Sequence, residues 1–333
     1  MLKEAMFYRS LEGNKVKCEL CSHQCKISNG KRGICRVREN KNGILYSLNY
    51  LKLVASHVDP IEKKPLFHFY PGSESYSIAA SGCNFRCLHC QNWTISQVNN
   101  DIISGEAISA ESVVRDALRN KCLSISYTYT EPTIYYETAY DISLLAHEKG
   151  IRNIFVTNGY IGSEALKHIA PYLDAANIDL KAMTETFYQN VCGAKLQPVL
   201  DCIKQYYELG IWIEITTLII PGYNDDADEL EDIAEFIAGI DNGIPWHVTA
   251  FYPTYKLNDA PPTPLATLEL AYKIGKEKGL QYVYQGNVGE GENTYCPSCG
   301  KLLVKREFFN IKNQIQDGKC PFCGCKIQGI GMS

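Results

Sequence analysis

The sequence predicts an α/β protein, an open six-stranded partial barrel with a small cysteine-rich, metal-binding module at each end. From residue 75 onward, short apolar segments alternate with longer amphipathic ones, which favours a parallel sheet covered by helices. Outside this region, cysteines gather in two groups at spacings typical of metal ligands. We expect the N-terminal module over residues 1–65, the barrel over 66–290 and the C-terminal module over 291–333.

The composition is ordinary for a globular protein. With 333 residues, 45% of them hydrophobic and 21% charged, the chain can bury a large core. A net charge of −4 gives no basic field, so we expect no nucleic-acid partner. No segment approaches the roughly 20 apolar residues of a membrane span, and the first ten residues lack the apolar run of a signal peptide. Fifteen cysteines suit metal binding better than disulfides, so we expect a cytoplasmic protein without a membrane partner.

The predicted barrel consists of strands and helices in strict alternation. The strands are expected at residues 75–80, 123–128, 151–157, 175–180, 211–220 and 246–252. Helices are expected at residues 133–149, 163–170, 198–209 and 226–238, after a first helix capped by Ser109 with Val113, Val114, Ala117 and Leu118 on one face. A helix at residues 265–278 and a strand at 281–284 would extend the edge. The region is short for a closed eight-fold barrel, so we expect an open one.

Three cysteines follow the first predicted strand and form what we call the cysteine loop: Cys83, Cys87 and Cys90. Their spacing, C-x3-C-x2-C, lets three thiolates converge on one small inorganic group. Iron–sulfur clusters are usually held by four cysteines, so three ligands predict a cubane cluster with one iron left free. The alternative is a zinc site completed by His89 or a distant residue, although His89 lies between two proposed ligands.

Four cysteines in the N-terminal module form the N-terminal cysteine set: Cys18, Cys21, Cys25 and Cys35. Four thiolates complete a tetrahedral site, so structural zinc is the first interpretation. An auxiliary iron–sulfur cluster is the alternative, because spacing alone does not separate the two. Three isolated cysteines, Cys122, Cys192 and Cys202, are expected to be small buried residues.

Two C-P-x-C-G sequences near the end of the chain form the C-terminal cysteine set: Cys296, Cys299, Cys320 and Cys323. Such knuckles are typical of zinc ribbons and rubredoxin-like sites. We expect Zn²⁺ here, with a redox-active iron as the alternative. Cys325 is surplus and could only substitute for one of the four.

Polar residues lie where the predicted strands end, which is where parallel α/β barrels gather their functional groups. The candidate binding residues are Gln91, Asn92, Thr130, Glu131, Thr157, Asn158, Asp179, Lys181 and His247. Each has an ordinary alternative. Glu131 could simply begin a helix, Thr157 and Asn158 could form a turn, and His247 could be a hydrogen-bonded core residue. Their shared position beside the cysteine loop favours a binding role for the first two groups.

The cysteine loop, with the planar side chain of His89 before its last cysteine, resembles the radical S-adenosylmethionine (SAM) superfamily. Over residues 76–255, the chain is similar to the glycyl-radical-activating branch, typified by pyruvate formate-lyase activating enzyme. The segments that carry this likeness are 155–160, 179–181, 209–213 and 221–225.

A closer likeness, over nearly the whole chain, is to the radical SAM enzyme of the AmmeMemoRadiSam system. It rests on the N-terminal cysteines, the segments 59–65, 90–93 and 127–133, and the C-P-x-C-G tail. The resemblance implies that Cys83, Cys87 and Cys90 bind three irons of a [4Fe–4S] cluster, whose fourth iron the SAM amine and carboxylate chelate.

The candidate binding residues would then surround SAM, with Thr130 and Glu131 at the place of a Gly-Gly-Glu segment that holds the SAM amine. Two positions depart from the activating enzymes. Tyr129 and Thr130 replace two glycines, so the backbone approach to SAM must differ in detail. Val156 replaces an aspartate, which argues against the monovalent-cation site of those enzymes.

The resemblance implies reductive cleavage of SAM to a 5′-deoxyadenosyl radical, which abstracts a hydrogen atom from an unidentified substrate, with a glycyl-radical-type protein as one candidate. It implies an external one-electron donor of flavodoxin or ferredoxin type, and a Memo-type or AMMECR-type protein as a further candidate partner. Two other classes compete with this function: a multi-zinc adaptor, and an electron-transfer protein. The alternation of strands with polar ends argues against the first, and the three-cysteine count against the second.

Overall fold

The computed structural model describes residues 2–98, 103–307 and 310–333. Its strands are β1 (Lys3–Glu4), β2 (Tyr8–Leu11), β3 (Lys15–Cys18), β4 (Lys26–Ile27), β5 (Arg38–Lys41), β6 (Ile44–Ser47), β7 (Lys52–Pro60), β8 (Glu74–Ala80), β9 (Glu106–Ala107), β10 (Ser124–Tyr127), β11 (Arg152–Thr157), β12 (Ala175–Asp179), β13 (Trp212–Ile219), β14 (Trp246–Ala250), β15 (Val283–Gly286), β16 (Thr294–Tyr295), β17 (Leu302–Glu307) and β18 (Asn310–Asn313). Its α-helices are α1 (Trp93–Ser96), α2 (Ala110–Arg119), α3 (Tyr136–Glu148), α4 (Ser163–Ile169), α5 (Glu185–Phe187), α6 (Gln197–Glu208), α7 (Ala227–Ile240) and α8 (Leu265–Glu277).

The main sheet has nine strands in the order β15-β14-β13-β12-β11-β10-β8-β7-β9. Seven neighbouring strands, β8 and β10 to β15, are parallel. The six predicted strands and the additional edge strand are therefore confirmed, as is the open α/β sheet. Strand β7 pairs antiparallel with β8, and β9 pairs antiparallel with β7. The first parallel strand, β8, is thus an inner strand with a hydrogen-bonded neighbour on each side. The cysteine loop follows this strand.

Local signals account for the helix boundaries. The Ser109 side chain accepts a 3.1 Å hydrogen bond from the Ser112 N–H, and the reciprocal bond completes a capping box at α2. Of the residues predicted to share one face of this helix, Val113 and Val114 pack in the core, whereas Leu118 is 49% exposed. The predicted helix at 133–149 begins with a 3-10 turn, Pro132–Tyr135, before α3. A proline at its first position fits this tighter start.

The segment between β7 and β8 covers the amino-terminal end of the barrel strands. Leu66 and Phe69 pack against Ile154 and Ala175 in a separate apolar cluster. The Phe67 and His68 N–H groups both donate to the Glu214 carboxylate, at 2.9 and 2.8 Å. This end of the barrel is filled with protein, so the opposite rim, where the strands end, is the open one.

The N-terminal and C-terminal regions contact different parts of the barrel. The N-terminal region forms two three-stranded antiparallel sheets, β1-β6-β5 and β2-β3-β4, while its last strand, β7, belongs to the main sheet. A buried ion pair between Arg38 and Glu137 ties it to α3. The C-terminal sheet β16-β17-β18 is tied to the segment below the barrel, where Arg306 donates a 2.8 Å hydrogen bond to the Phe67 carbonyl. Among the described residues, no helix combines the length and apolar character needed to cross a membrane.

Candidate functional site

Backbone hydrogen bonds anchor the cysteine loop to the segment that contains Val191 and Cys192. The Arg86 and Leu88 N–H groups donate to the carbonyls of Cys192 and Val191, at 2.7 and 2.9 Å. Gly82 begins the loop with a φ of +106°, and a Cβ there would lie 2.7 Å from Val37 Cγ1. Only glycine meets both conditions without strain, so the end of β8 is built to admit this sharp turn.

The surroundings of two of the three loop cysteines disfavour free thiolates. Burial raises the pKa of the Cys83 thiol well above its usual value, and the charges of Glu131 and Cys87 raise it further. Burial also raises the pKa of the Cys90 thiol. The pKa of Cys87 is instead lowered, by a hydrogen bond from the Cys192 thiol and by the charge of Lys181. A bound cation would compensate the cost of ionising these thiols, which is the behaviour expected of metal ligands.

The alternative of a mononuclear zinc site with His89 is not preassembled. Within the described residues, the cysteine loop offers no group of three ligand atoms within 4.8 Å of one another. His89 is buried, and its Nδ1 has no hydrogen-bond partner. Burial and the charge of Lys181 lower its pKa to about 3, so its ring is neutral near pH 7.

Glu131 joins the ends of two neighbouring strands. Its buried carboxylate accepts hydrogen bonds from the Thr133 hydroxyl at 2.6 Å, the Thr157 hydroxyl at 2.8 Å and the Asn158 N–H at 2.8 Å. Burial raises the pKa of this carboxyl, although the hydrogen bonds oppose the shift. The alternative for Glu131, a helix start, is present, because Glu131 also caps the 3-10 turn. Thr157 is the last residue of β11, and Asn158 follows it. Glu131 has a second role besides capping, because it also orients Asn158 through the hydrogen bond from the Asn158 N–H.

Asn158 points from this junction toward the cysteine loop. Its Nδ2 donates a 2.8 Å hydrogen bond to Asn84 Oδ1 and lies 3.9 Å from Cys83 Sγ. Asn158 Oδ1 and Asn84 Nδ2 are both buried without a partner. Buried amide atoms are normally satisfied, so an unpaired acceptor and an unpaired donor beside Cys83 fit a bound polar molecule. Sequence reasoning missed Asn84, although it lies inside the cysteine motif.

Asp179 and Lys181 form an ion pair on the same rim, with 2.8 Å between Lys181 Nζ and Asp179 Oδ2. Burial lowers the pKa of Lys181, but the negative charges of Asp179 and Cys87 outweigh it and hold the pKa well above its usual value. Asn224 fixes this loop by donating to the Lys181 carbonyl at 2.7 Å. A permanent positive charge therefore stands beside Cys87.

The remaining candidates on the rim are held by backbone contacts. Asn92 Nδ2 donates to the Tyr129 carbonyl at 2.9 Å, and Thr130 Oγ1 donates to the Ala80 carbonyl at 2.7 Å. Gln91 is exposed. Tyr129, which stands where the activating enzymes have a glycine, adopts a φ of +62°. The backbone thus keeps a conformation that glycine favours, although the residue type has changed.

His247 is separated from this group. It is the second residue of β14, near the filled end of the barrel, and its Nε2 lies 2.7 Å from Glu214 Oε2. Its ring packs edge-on against Phe67 and stacks on Tyr284. These contacts match the alternative interpretation, a hydrogen-bonded core histidine. We correct the assignment accordingly and leave His247 out of the pocket on the rim.

A cavity of about 470 Å³ opens beside the cysteine loop, and it reaches from Asn92 to Asp59. Its lining residues are Ala55, His57, Val58, Asp59, Lys63, Asn92, Ile95 and Tyr129. Asp59 pairs with Lys64 at 2.7 Å and accepts a short hydrogen bond from the Tyr129 hydroxyl. Burial opposes ionisation, but these two partners hold the pKa of Asp59 well below its usual range. The sequence does not reveal the pairing of Asp59 with Tyr129, because the two residues are 70 positions apart.

The C-terminal cysteine set is compact. The Cys296 and Cys323 sulfurs are 3.6 Å apart, the Cys299 and Cys320 sulfurs are 3.7 Å apart, and all four lie within 4.8 Å of one another. A tetrahedral zinc site with Zn–S bonds of about 2.3 Å has sulfur–sulfur edges of about 3.8 Å. The set therefore matches a single tetrahedral ion, and Cys325 lies outside it.

The N-terminal cysteine set is more open. The pKa values of Cys21 and Cys35 are raised, to about 11 for Cys35, mainly by burial and also by the charges of the other cysteines in the set. The other cysteines of the set thus influence both thiols. Within the described residues, however, no three of their sulfurs lie within 4.8 Å of one another.

Comparisons with known proteins agree with this site. A family model described as the radical SAM superfamily matches residues 77–237. An uncharacterized protein of Methanocaldococcus jannaschii is 51% identical over 332 residues, which cover 98% of this chain and 99% of that protein. Pyruvate formate-lyase 1-activating enzyme of Escherichia coli is 22% identical over 225 residues, covering 61% of this chain and 89% of that enzyme.

Among solved structures, Streptococcus suis SuiB bound to S-adenosylmethionine aligns with a TM-score of 0.53 at 15% identity. The alignment covers 71% of this chain and 56% of SuiB, and it shows a shared fold. The family model spans the cysteine loop, Glu131, Asn158 and the Asp179–Lys181 pair, so the sequence match and the rim described above coincide. This chain belongs to the radical SAM superfamily and is an enzyme.

Proposed function

We propose that this enzyme binds a [4Fe–4S] cluster through Cys83, Cys87 and Cys90, cleaves SAM reductively and removes a hydrogen atom from its substrate. One observation supports this most directly: the unpaired amide atoms of Asn84 and Asn158 lie beside a three-cysteine loop that leaves one cluster position open. When bound, the cluster supplies one electron to SAM, whose adenosyl fragment then accepts the hydrogen atom.

The residues of the rim would bind and orient the cofactors. Asn158 would accept a hydrogen bond from SAM through its unpaired Oδ1, and Glu131 would position Asn158. Lys181 would offset the negative charge that three thiolates bring to the loop, because its ammonium group stands beside Cys87. Gln91, Asn92, Thr130, Thr157 and Asp179 complete the proposed SAM pocket.

The cavity beside the loop is the proposed substrate site. It contains the ionised Asp59 together with His57 and Tyr129, so it suits a polar substrate. A protein substrate is one candidate, since the Escherichia coli relative is named for activating another enzyme. A segment of such a protein would enter from the open rim, where bound SAM would exclude water from the reacting atoms.

The proposed partners follow from the chemistry and from the resemblance. A flavodoxin- or ferredoxin-type protein would deliver the electron, and a Memo-type or AMMECR-type protein would act in the same process. We propose Zn²⁺ in the C-terminal cysteine set, because its sulfur spacing matches a tetrahedral ion. A reducing, cytoplasmic setting would keep these thiols free for metals.

The test is anaerobic reconstitution with iron and sulfide, followed by dithionite and SAM, with 5′-deoxyadenosine as the readout. The wild type is compared with Cys87→Ala, and with Cys122→Ala as a control for the loss of a buried cysteine outside every set. We expect 5′-deoxyadenosine from the wild type and the control but none from Cys87→Ala. A colourless wild-type protein with zinc in all three cysteine sets, and no 5′-deoxyadenosine, would instead favour the multi-zinc adaptor.

A further inference from the structure

The three cysteine sets of this chain fall into two sizes. The four sulfurs of the C-terminal set lie within 4.8 Å of one another, whereas neither the cysteine loop nor the N-terminal set contains three that do, all of these cysteines being among the described residues. The N-terminal set therefore differs from the C-terminal set in the same direction as the cysteine loop does. The C-terminal set provides an internal standard, since its spacing matches one tetrahedral ion.

This difference has a simple geometric origin. Thiolates around one ion share a single centre, which brings all sulfurs to about 3.8 Å of one another for Zn–S bonds of about 2.3 Å. Thiolates around a cubane bind four different irons, each displaced from the centre, so the sulfurs must lie farther apart. Four cysteines whose sulfurs are not drawn together at the spacing of a single ion, as in the N-terminal set, are thus better suited to a cluster.

The N-terminal set is held rigidly by its surroundings. The Cys18 N–H donates to the Cys25 carbonyl at 2.9 Å, and Cys21 forms a backbone bridge with Ile161. A Cβ on Gly33 would approach Cys25 Sγ to 3.7 Å and Ile27 Cδ1 to 3.3 Å. These contacts fix the backbone at Cys18, Cys21 and Cys25, which favours a preformed binding site.

A buried cation supports the same conclusion. Arg38 is 1% exposed, and its Nη1 lies 3.7 Å from Cys18 Sγ. It pairs with Glu137, whose Oε2 remains unpartnered, as does Arg38 Nε. Hydrogen bonds to ligand sulfurs are among the interactions that set the reduction potential of iron–sulfur clusters. An arginine directed at a ligand sulfur would therefore serve a redox centre.

We propose that Cys18, Cys21, Cys25 and Cys35 bind a second [4Fe–4S] cluster, fully ligated by the four thiolates. The proposed role is one-electron exchange: the cluster accepts one electron from the low-potential donor protein and releases one to the cluster of the cysteine loop. No bond is made or broken at the second cluster.

The packing of the two sites supports this role. Arg86 Nη1 donates to the Cys83 carbonyl at 2.9 Å, and Arg86 Nη2 donates a short hydrogen bond to the carbonyl of Ile34, the neighbour of Cys35. A Cβ on Gly82 would lie 3.2 Å from the Cys35 carbonyl oxygen. The backbones that hold the two sets are thus in direct contact, and one guanidinium bridges them.

Acid-labile sulfide provides the test, because neither zinc nor a rubredoxin-like iron contains it. We compare the reconstituted wild type with the triple variant Cys83→Ala, Cys87→Ala, Cys90→Ala and with the double variant Cys21→Ser, Cys25→Ser. We expect about eight sulfides per chain in the wild type and about four in each variant. Cys122→Ala and Cys202→Ala are the controls and should retain the wild-type content.

The triple variant makes this result independent of SAM cleavage, so the proposed function and the second cluster can fail separately. A triple variant without sulfide and with about two zinc ions per chain would overturn the second cluster. If the triple variant does not fold, the sulfide content of the wild type provides the test. About four sulfides per chain, instead of about eight, would contradict the proposal. Electron paramagnetic resonance adds a test of proximity: the dithionite-reduced wild type should show interacting spins, and the triple variant a single isolated one. Two non-interacting signals in the wild type would contradict electron exchange.

Discussion

Glu131 and Asn158 lie at the ends of two adjacent parallel strands, and the Asn158 N–H donates a 2.8 Å hydrogen bond to the Glu131 carboxylate. The parallel pairing of β10 with β11 brings these strand ends together, and the carboxylate then fixes the loop that directs Asn158 at Cys83. A buried acid thereby connects the sheet to the cysteine loop.

The first prediction concerns this contact. Glu131→Gln places an amide where the carboxylate accepts from the Thr157 hydroxyl and the Asn158 N–H, so one donor must lose its acceptor. We expect a loss of roughly 1–3 kcal/mol in the free energy of unfolding. We also expect about tenfold weaker SAM binding, which corresponds to roughly 1.4 kcal/mol. Chemical denaturation and SAM titration of the reconstituted enzyme measure the two effects. Glu164→Gln, at an exposed pair with Lys167, is the control and should change neither; unchanged SAM binding in Glu131→Gln would contradict the positioning role.

The second prediction concerns the turn at Gly82. Gly82→Ala introduces a Cβ 2.7 Å from Val37 Cγ1 at a φ of +106°, so the loop must shift and carry Cys83 with it. We expect a destabilisation of roughly 1–3 kcal/mol and a lower iron content after reconstitution. Gly150→Ala is the matched control, because its φ is +74° but nothing lies within 4 Å of the added Cβ. It should cost roughly 1 kcal/mol and leave the iron content unchanged. Equal iron contents in the two variants would argue against a steric role for Gly82.

The third prediction is a pH dependence that originates at Asp59. Its pKa is depressed in the folded protein by Lys64 and Tyr129, so its contribution to stability is present above the unfolded pKa of about 3.9. This contribution is lost as the pH falls through and below that value toward the lower folded pKa. Denaturation between pH 3 and about 7 should show this loss in the wild type, and a smaller loss in Asp59→Asn.

Lys64→Met tests the same pair from the other side. The Lys64 side chain is 2% exposed and that of Asp59 is 8% exposed, so the variant removes the buried cation of this carboxylate and leaves it only the exposed Lys63, 3.2 Å from Asp59 Oδ1. We expect roughly 3 kcal/mol of destabilisation near pH 7. Identical pH profiles for the wild type and Asp59→Asn would show that the pair does not govern acid stability.

The fourth prediction separates His247 from the SAM pocket. His247→Phe removes a hydrogen-bond partner of Glu214 in the filled end of the barrel, so we expect a loss of roughly 1–3 kcal/mol in stability. SAM affinity should stay within about twofold, since no rim residue contacts His247 among the hydrogen bonds of the described chain. Asn158→Ala should differ from it in SAM affinity: we expect weaker SAM binding together with a similar loss of roughly 1–3 kcal/mol in stability, since the buried Asn84 Oδ1 loses its donor. A large loss of SAM affinity in His247→Phe would return His247 to the pocket.

Several features of the site were predictable from the sequence because they depend on local order. The spacing of Cys83, Cys87 and Cys90 requires only a short loop after a strand, and the period of the apolar residues identified the strands that end in Glu131 and Asn158. His247 shows the limit of this reasoning. Its strand was predicted, but its position along the strand, near the end covered by Phe67, depends on a segment distant in sequence.

Contacts between residues that are distant in the chain could not be predicted from the sequence either. Asp59 and Tyr129 meet because β7 pairs antiparallel with β8 while Tyr129 follows β10, and no periodic pattern records such a contact. Spacing predicted that Leu118 shares a helix face with Val113 and Val114, yet Leu118 is exposed, since the width of a helix interface depends on what packs against it.

The sequence by itself determined the alternation of strands and helices, the three cysteine sets and the candidate residues at the strand ends, because each is encoded by residue type and spacing. Only the tertiary structure decided which polar groups meet: Asn84 with Asn158, Asp59 with Tyr129, and His247 with Glu214. It also distinguished the compact C-terminal set from the wider N-terminal set. The physical reason is that distances between thiols and between buried polar atoms depend on the packing of segments far apart in the chain.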